Sequence, residues 1–269
     1  MIETLRTTTA DGSVTGARFV RPARSGAEWT NLVFVHGVGS TAAIWDSQLE
    51  AFGGDFVSIA VELRGNGALR PDPPPSLITR SGFAQDVLAV LDELGVDRFT
   101  LVGCSLGGVV AFELWGRVDR RFDALVTLGS FARYPDGERV AETIAAAVLD
   151  AGSMAVFAER RAAQLGLPPQ RMAETIDQMA CKSVPSYLAS TTATWTGDYT
   201  PILSSITVPS LIAYGEFDPV APRELSEEIA AGIGDAALAA VPNAGHVANA
   251  DNPPAFNAML RDFLTRLHS

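Results

Sequence analysis

The sequence of 269 residues is poor in cysteine and in positive charge. Cys104 and Cys181 are its only cysteines, which are too few for a disulfide framework, and such low usage suits a reducing compartment. Cytoplasm is therefore the expected location. The formal net charge of -11 argues against nucleic acid as a partner, because contacts to phosphate need clustered Lys and Arg.

Long apolar runs are also missing. No stretch of about 18 apolar residues occurs, so no membrane-spanning helix and no membrane partner are predicted. The first 20 residues contain Glu3 but neither a basic region nor an apolar run, and no signal or transit peptide is expected there. Because 47% of the residues are hydrophobic and 19% charged, the chain is expected to bury a substantial core.

Short apolar runs bounded by turn residues alternate with longer amphipathic segments. This alternation predicts an α/β protein whose central sheet is mostly parallel and flanked by helices. A helix is predicted at 81–94, with Gly95 as its stop signal. An antiparallel edge strand is predicted at 16–21. The predicted buried strands are 31–35, 57–61, 99–102, 124–128, 210–214 and 237–241.

The strand rhythm fails between about residues 130 and 203, where Ala-rich amphipathic segments follow one another. We predict helices at 137–150, 153–165, 168–181 and 185–195. The sequence thus predicts a core domain made of residues 1–130 and 203–269, with a helical cap inserted at 131–202. An excursion of this length is usually a functional lid or binding element, and a purely structural subdomain is the alternative.

The sharpest motif is Gly103-Cys104-Ser105-Leu106-Gly107, which follows a predicted strand and precedes a helical run. A nucleophile on so tight a strand-to-helix turn adopts strained backbone angles, and small residues two positions away on either side avoid clashes. The turn exposes the hydroxyl and directs the helix N-terminus at it, so the Leu106 N–H favours an oxyanion. We therefore predict Ser105 as a nucleophile and Cys104 as a packing residue.

A serine hydroxyl is a weak nucleophile near neutral pH and needs a base within hydrogen-bond reach. The chain has three histidines. His268 is the penultimate residue and is expected to be solvated, whereas His36 follows the first central strand and is expected to brace its loop. His246 lies in a loop between the last strand and the final helix, so it is the predicted base.

Asp218 is the predicted acid that orients this histidine. It lies in a turn after the strand at 210–214, and Glu216 on the same loop is expected to stabilise the turn instead. The other position for an acid, after the strand at 124–128, holds Gly129 and Ser130. Asp218 and His246 are 28 positions apart, which leaves room for one helix and one strand between them.

A second oxyanion donor is predicted from the loop His36-Gly37-Val38-Gly39, where glycines allow close backbone approach. Val38 would supply this N–H group beside that of Leu106. The arrangement predicts an acyl-enzyme and its hydrolysis by water. No metal or organic cofactor is expected, because no ligand spacing, P-loop or G-x-G-x-x-G pattern occurs.

These residues resemble the α/β-hydrolase superfamily over nearly the whole chain, most closely its 3-oxoadipate enol-lactonase-like esterase and lactonase branch. The resemblance is carried by HGV at 36–38, the elbow at 103–108, GEFDPV at 215–220, NAGH at 243–246 and NP at 252–253. It implies an α/β-hydrolase fold and a cap that sets substrate choice. It also implies Ser105, Asp218 and His246 as a triad, with Val38 and Leu106 as oxyanion donors.

Two segments depart from the branch. Where the family usually shows Asp-x-Arg-Gly-His-Gly, this chain has ELRGNG at 62–67, and the segment 131–138 lacks a tryptophan-bearing signature. Arg133 and Trp195 are the favoured substrate-binding candidates because they lie near the two cap junctions. The wider set of possible carboxylate anchors and apolar walls is Arg139, Arg160, Arg161, Arg171, Tyr134, Phe157 and Tyr187.

The predicted activity is hydrolysis of a small carboxylic ester or lactone. Hydrolysis of a carbon–carbon bond in a diketone is an alternative that the same triad can serve, as are a cofactor-free peroxidase and an acyltransferase. A non-catalytic ligand receptor is a third alternative, but it predicts a spoiled triad, and here every element is intact. The expected partner is a small-molecule substrate, and the sequence makes no prediction of oligomeric state.

Overall fold

The computed structural model describes residues 1–22, 31–67, 69–164, 167 and 169–267. This part of the chain contains an eight-stranded sheet with the order β1-β2-β4-β3-β5-β6-β7-β8. The strands are β1 Glu3–Thr8, β2 Val14–Val20, β3 Leu32–Val35, β4 Ser58–Glu62, β5 Phe99–Cys104, β6 Phe122–Leu128, β7 Ser210–Gly215 and β8 Ala236–Val241.

The sheet is parallel from β4 through β8, whereas β1 and β2 join it antiparallel. Strands β3 and β5 are buried along their whole length, since helices cover both faces of the sheet. The six strands expected from the sequence are confirmed, but β8 lies at an edge of the sheet and is mostly exposed or half-buried rather than buried. Their carboxyl ends meet at one edge of the sheet, and the loops that follow β3, β5, β7 and β8 leave from there.

One prediction about the sheet is wrong. The segment predicted at 16–21 as an edge strand is β2, and it lies between β1 and β4 rather than at the edge. The edge strand on this side of the sheet is β1, which has the sequence ETLRTT and is mostly exposed. Leu5 is the one apolar residue of β1, so β1 contains no apolar run and the sequence pattern does not predict it.

Six helices flank the sheet and form two hydrophobic clusters, one on each face. These helices are α1 Asp46–Phe52, α2 Arg80–Leu94, α3 Leu106–Val118, α8 Arg223–Gly232, α9 Ala248–Asp251 and α10 Pro253–Leu267. Helices α2, α3 and α8 contribute to one cluster, whereas α1 and α10 contribute to the other. Short 3-10 helices lie at Ala42–Trp45, Pro75–Leu77, Asp119–Arg121 and Thr200–Ser205.

Helix α2 shows how local sequence sets its ends. The Thr79 hydroxyl accepts a hydrogen bond from the Gly82 N–H at 3.0 Å, which caps the helix start. Gly95 ends the helix in the left-handed conformation with φ 69°, where a residue without Cβ avoids strain. The helix and its stop signal were both expected from the sequence, and both are confirmed.

The chain between β6 and β7 contains the four helices α4 Gly137–Ala151, α5 Met154–Gln164, α6 Pro169–Ala180 and α7 Val184–Trp195. These match the four helices expected there. We call residues 131–202 the helical segment. It has a small hydrophobic cluster of its own, whose buried members are Val148, Met154, Phe157, Ala158, Met179 and Tyr187.

No single helix in the described ranges is both long and apolar enough to cross a membrane. The helices Gly137–Ala151 and Met154–Ala163, bent by 120° relative to each other, meet the length and composition limits only as a pair.

Candidate active site

Ser105 stands on a sharp turn between β5 and α3. Its φ of 53° is positive although it is not glycine, a strained conformation of the kind found at functional sites. The turn is tight enough to require its glycines, since a Cβ on Gly103 would come within 2.3 Å of the Gly107 carbonyl oxygen. A Cβ on Gly107 would lie 2.1 Å from the Val35 carbonyl oxygen. The motif therefore forms the strand-to-helix elbow that the sequence predicts.

The side chains of Ser105, His246 and Asp218 form a continuous hydrogen-bonded chain. Ser105 Oγ lies 3.1 Å from His246 Nε2, and His246 Nδ1 lies 2.8 Å and 3.0 Å from the two oxygens of Asp218. A carboxylate beside Nδ1 keeps the ring proton there and leaves Nε2 free to accept the serine proton. The arrangement can thus activate the Ser105 hydroxyl as a nucleophile.

Backbone groups hold this chain of side chains in place. Asp218 Oδ1 accepts hydrogen bonds from the N–H groups of Val220 and Ala221 at 2.8 Å and 2.9 Å, and the residue is 8% exposed. The Gly245 N–H, next to His246, donates to Asp251 Oδ2 at 3.0 Å. These bonds hold the His246 imidazole in a fixed orientation, as proton transfer from Ser105 Oγ to His246 Nε2 requires.

Glu216 and Cys104 have positions that fit the structural roles expected from the sequence. Glu216 is exposed, and its Oε2 accepts from the Asn243 N–H at 2.9 Å, so it stabilises the turn. Burial raises the pKa of the Cys104 thiol, which disfavours the thiolate that nucleophilic attack needs. His268 lies outside the described residues.

His36 is completely buried and braces the loop after β3. Its Nε2 accepts from the Leu63 N–H at 3.2 Å, so the ring proton is on Nδ1, which donates to the Gly37 carbonyl at 2.8 Å. Burial lowers the pKa of His36 to about 3. This histidine is therefore a neutral structural group rather than a base.

The loop after β3 brings a second backbone donor to the serine. A Cβ on Gly37 would lie 3.3 Å from Ser105 Cβ, which shows how closely the loop approaches. The N–H of Val38 makes no hydrogen bond to any described residue. Leu106 is the first residue of α3, so its N–H belongs to the group that a helix leaves without an intrahelical acceptor. Both groups are available to stabilise an oxyanion.

Asn66 connects this loop to the helical segment, a connection that the sequence did not reveal. The side chain is fully buried; its Oδ1 accepts from the Gly39 N–H at 3.1 Å, and its Nδ2 donates to Ser190 Oγ at 3.0 Å. In the sequence, ELRGNG at 62–67 is only a departure from the family pattern. The one available signal was an amide at the position where the resembled pattern has His.

Ser105 and His246 line a cavity that is partly open to solvent. The sheet-end loops contribute one wall and the helical segment the other. Residues of the core are Gly37, Val38, Gly39, Ser40, Ile44, Cys104, Ser105, Val220, His246 and Val247. Residues of the helical segment are Ile144, Arg161, Arg171, Thr175, Gln178, Met179, Tyr187 and Trp195.

Of the two substrate-binding candidates that the sequence favours, Trp195 lines the cavity and Arg133 does not. Trp195 is buried, lines the cavity and stacks on Phe131 at 5.2 Å between ring centroids. Arg133 is exposed and lies outside the cavity lining, because its backbone pairs with Asp198 at the base of the segment. The expectation that Arg133 binds substrate is therefore not retained. No group of three or more His, Cys, Asp or Glu side chains within the described ranges could hold a metal ion.

Comparison with known proteins gives the same class of fold. The alpha/beta hydrolase family model matches residues 32–259. The RutD protein of Azorhizobium caulinodans, which is named for carbamate hydrolysis, is 30% identical over 87% of this chain and 91% of its own length. The 3-oxoadipate enol-lactonase 2 of Acinetobacter baylyi is 25% identical, with coverage of 88% and 89%.

Solved structures agree over almost the full length. A hydrolase from Pseudomonas aeruginosa superposes with a TM-score of 0.83 at 29% identity, with coverage of 98% of both chains. The enol-lactonase from Burkholderia xenovorans shares the fold, with a TM-score of 0.84 at 24% identity and coverage of 97% and 99%.

The mostly parallel eight-stranded sheet, with helices on both faces and a serine elbow after β5, is the α/β-hydrolase fold. The chain belongs to the alpha/beta hydrolase family. It is an enzyme, a hydrolase, and its relatives include an enol-lactonase, as the resemblance in the sequence implied.

Proposed function

We propose that this hydrolase cleaves a small carboxylic ester or lactone through an acyl-enzyme on Ser105. The observation that carries the proposal is the hydrogen-bonded chain Ser105–His246–Asp218, with distances of 3.1 Å and 2.8 Å, at the wall of a cavity. The relatives named as an enol-lactonase and for carbamate hydrolysis act on acyl carbon, and this supports the same class of reaction.

The mechanism follows from the positions of the atoms. Ser105 Oγ attacks the substrate carbonyl carbon while His246 Nε2 accepts the hydroxyl proton, and Asp218 stabilises the resulting imidazolium. The carbonyl oxygen becomes an oxyanion, for which we propose the N–H groups of Val38 and Leu106 as donors. When the carbon–oxygen bond breaks, the alkoxide takes the proton from His246 and Ser105 remains acylated. From an ester the resulting alcohol leaves, whereas from a lactone it stays attached as a hydroxyl of the acyl group.

Deacylation repeats these steps with water as nucleophile. His246 accepts a proton from the water, the hydroxide adds to the acyl carbon, and collapse of the second tetrahedral intermediate returns the proton to Ser105 Oγ. The product is a free carboxylic acid. We assign the helical segment 131–202 as a cap, because eight of its residues line the cavity opposite the serine.

Hydrolysis of short-chain p-nitrophenyl esters and small lactones, measured with the wild type and Ser105→Ala, tests the proposal. We expect the variant to lose about 10⁴-fold or more in kcat, since removing a nucleophile leaves only the contribution of binding and oxyanion donors. Mass spectrometry of protein quenched during turnover should show the acyl group on Ser105 and not on Cys104. Full activity in Ser105→Ala, or an acyl group on Cys104, would refute the assignment.

A further inference from the structure

Two arginines of the helical segment line the cavity that contains Ser105, although the chain as a whole has a net charge of -11. Arg161 lies in the last turn of α5, and Arg171 lies near the start of α6. A guanidinium at a cavity wall is costly to desolvate unless anionic groups pair with it. The partners of each arginine therefore indicate what the cavity can bind.

Arg171 already has acidic partners. Its Nη1 donates to Glu174 Oε2, and its Nε lies 3.7 Å from Asp251 Oδ1. Its side chain is 15% exposed, and that of Asp251 is 10% exposed. Two carboxylates thus balance the positive charge of Arg171 within the protein.

Arg161 has no such partner. It forms no hydrogen bond or ion pair with any residue that the structure describes. Its charge acts on the phenols of Tyr134 and Tyr187. Burial raises the pKa of both phenols, to about 12 for Tyr187, so neither is an anion near neutral pH. The positive charge of Arg161 is left for a ligand.

The position of Arg161 indicates where that ligand would carry its charge. Arg161 also lines a second, shallower cavity together with Tyr134, Arg139, Trp195 and Val220. Since it lines both, its side chain lies at the boundary between the two cavities, and it is only half-buried. A ligand that contacts both Arg161 and Ser105 would place an anion at this boundary and its acyl carbon beside the serine.

We propose that Arg161 binds a carboxylate group of the substrate, so that this enzyme prefers esters or lactones that carry a second, ionised carboxyl group. Guanidinium and carboxylate form paired, charge-assisted hydrogen bonds in a fixed geometry, which gives selectivity as well as affinity. The preference rests on the proposed function, whereas the binding of a carboxylate does not. Arg161 thus takes the role that the sequence suggested for Arg133.

Two esters of equal chain length test this preference. Mono-p-nitrophenyl glutarate has a carboxylate where p-nitrophenyl pentanoate has a terminal methyl group. We expect Arg161→Gln to lower the ratio of kcat/KM for the glutarate over the pentanoate by about tenfold, and Arg161→Lys to lower it less. Arg160→Gln is the matched control, because Arg160 is exposed and paired with Asp150. An unchanged ratio in Arg161→Gln, or an equal fall in Arg160→Gln, would overturn the preference.

Calorimetry separates this test from the proposed function. Glutarate should bind to the Ser105→Ala protein, and the binding should weaken about tenfold when Arg161→Gln is added. Equal affinity with and without Arg161 would overturn the carboxylate site. If no ester is hydrolysed but glutarate binding depends on Arg161, then the proposed function fails and the site stands.

A separate observation concerns Asn66, the buried amide that bonds both the Gly39 N–H and Ser190 Oγ. We infer that Asn66 is a positioning residue, which fixes the loop of residues 37–39 so that the Val38 N–H faces the oxyanion. The bond to Gly39 acts on the core, whereas the bond to Ser190 acts on the helical segment. The bond to Ser190 can be removed alone, because Ser190→Ala leaves the bond to Gly39 and a third bond, from Asn66 Nδ2 to the Arg64 carbonyl at 3.2 Å.

A trifluoromethyl ketone, which forms an oxyanion when Ser105 adds to it, is the probe for this role. Asn66→Ala should weaken its binding about tenfold and lower kcat by a similar factor, with little change in KM for a neutral ester. Ser190→Ala keeps the Gly39 bond and should leave both values within about twofold. If Asn66→Ala lowers only the free energy of unfolding, or Ser190→Ala weakens the ketone equally, the positioning role is refuted.

Discussion

The two walls of the cavity are built in different ways. On the core wall, Ser105 and Asp218 are fixed by backbone groups: a glycine-dependent elbow holds the serine, and two N–H groups hold the carboxylate. On the opposite wall, the helical segment presents side chains such as Arg161 and Trp195 from amphipathic helices. A change of side chain there alters the lining without moving the backbone that holds Ser105 and Asp218. We therefore expect chemistry and substrate choice to be separable in this molecule.

The largest effect on the core wall is expected from one of the two acids on the loop after β7, Asp218 and Glu216. Asp218→Asn should lower kcat by about 10⁴-fold, because an amide cannot hold the His246 proton on Nδ1. Glu216→Gln is the matched control and should change kcat less than twofold or so, because Glu216 is exposed and bonds only the Asn243 N–H. Steady-state kinetics with a neutral ester, on variants whose circular dichroism matches the wild type, gives the measurement. Similar losses in both variants would contradict the assignment of the acid.

A second prediction concerns stability rather than catalysis on the core wall. The pKa of His36 is lowered from 6.5 to about 3 in the folded protein, so its neutral form contributes stability above pH 6.5 that is lost as the pH falls toward 3. Between pH 7 and pH 5, this loss amounts to about 2 kcal/mol. His36→Gln has no imidazole to titrate at this position. From pH 7 to pH 5, the difference in free energy of unfolding between wild type and variant should therefore narrow by about 2 kcal/mol, as measured by urea denaturation at both pH values. A difference that does not vary with pH would show that His36 is not buried as a neutral ring.

The smallest expected effect is at the contact between the two walls. The Tyr134 hydroxyl donates to the Val220 carbonyl at 2.9 Å, which ties the helical segment to the loop of Asp218. Tyr134→Phe should reduce the free energy of unfolding by about 1 kcal/mol and raise KM a few fold, with kcat nearly unchanged.

Tyr199→Phe is the control for this change, because the Tyr199 hydroxyl bonds Glu113 on α3, away from the cavity. It should cost similar stability without changing KM. Chemical denaturation and kinetics on one neutral ester measure both effects. A large fall in kcat for Tyr134→Phe would contradict the expectation that chemistry and substrate choice belong to different walls of the cavity.

Much of the core site could be predicted because its signals are local. Gly103 and Gly107 at fixed offsets from Ser105 encode the elbow within five residues, and the two loop acids were distinguished by their positions in one turn. The four helices between β6 and β7 were also predicted, since the periodicity of apolar residues along each is a local property. β1 was missed because its edge position leaves most of it exposed and polar.

The directions of side chains on the helical segment could not be predicted in the same way. Arg160 and Arg161 are neighbours in the chain, yet only Arg161 lines the cavity, while Arg160 pairs with Asp150 in solvent. Which face of a helix covers a cavity depends on how the helix packs on distant elements. The sequence favours Arg133 over Arg161, whereas the packing places Arg161 and not Arg133 in the lining of the cavity.

The sequence by itself determined the class of fold, and it predicted the three residues that the structure joins in one hydrogen-bonded chain, because strand periodicity and the elbow are written in short, contiguous patterns. Only the tertiary structure brought Asn66 between Gly39 and Ser190, and only it left Arg161 without an acidic partner at the cavity wall. Contacts between residues far apart in the chain, such as Asn66 and Ser190, depend on the assembled layers. No local pattern in the chain carries that information.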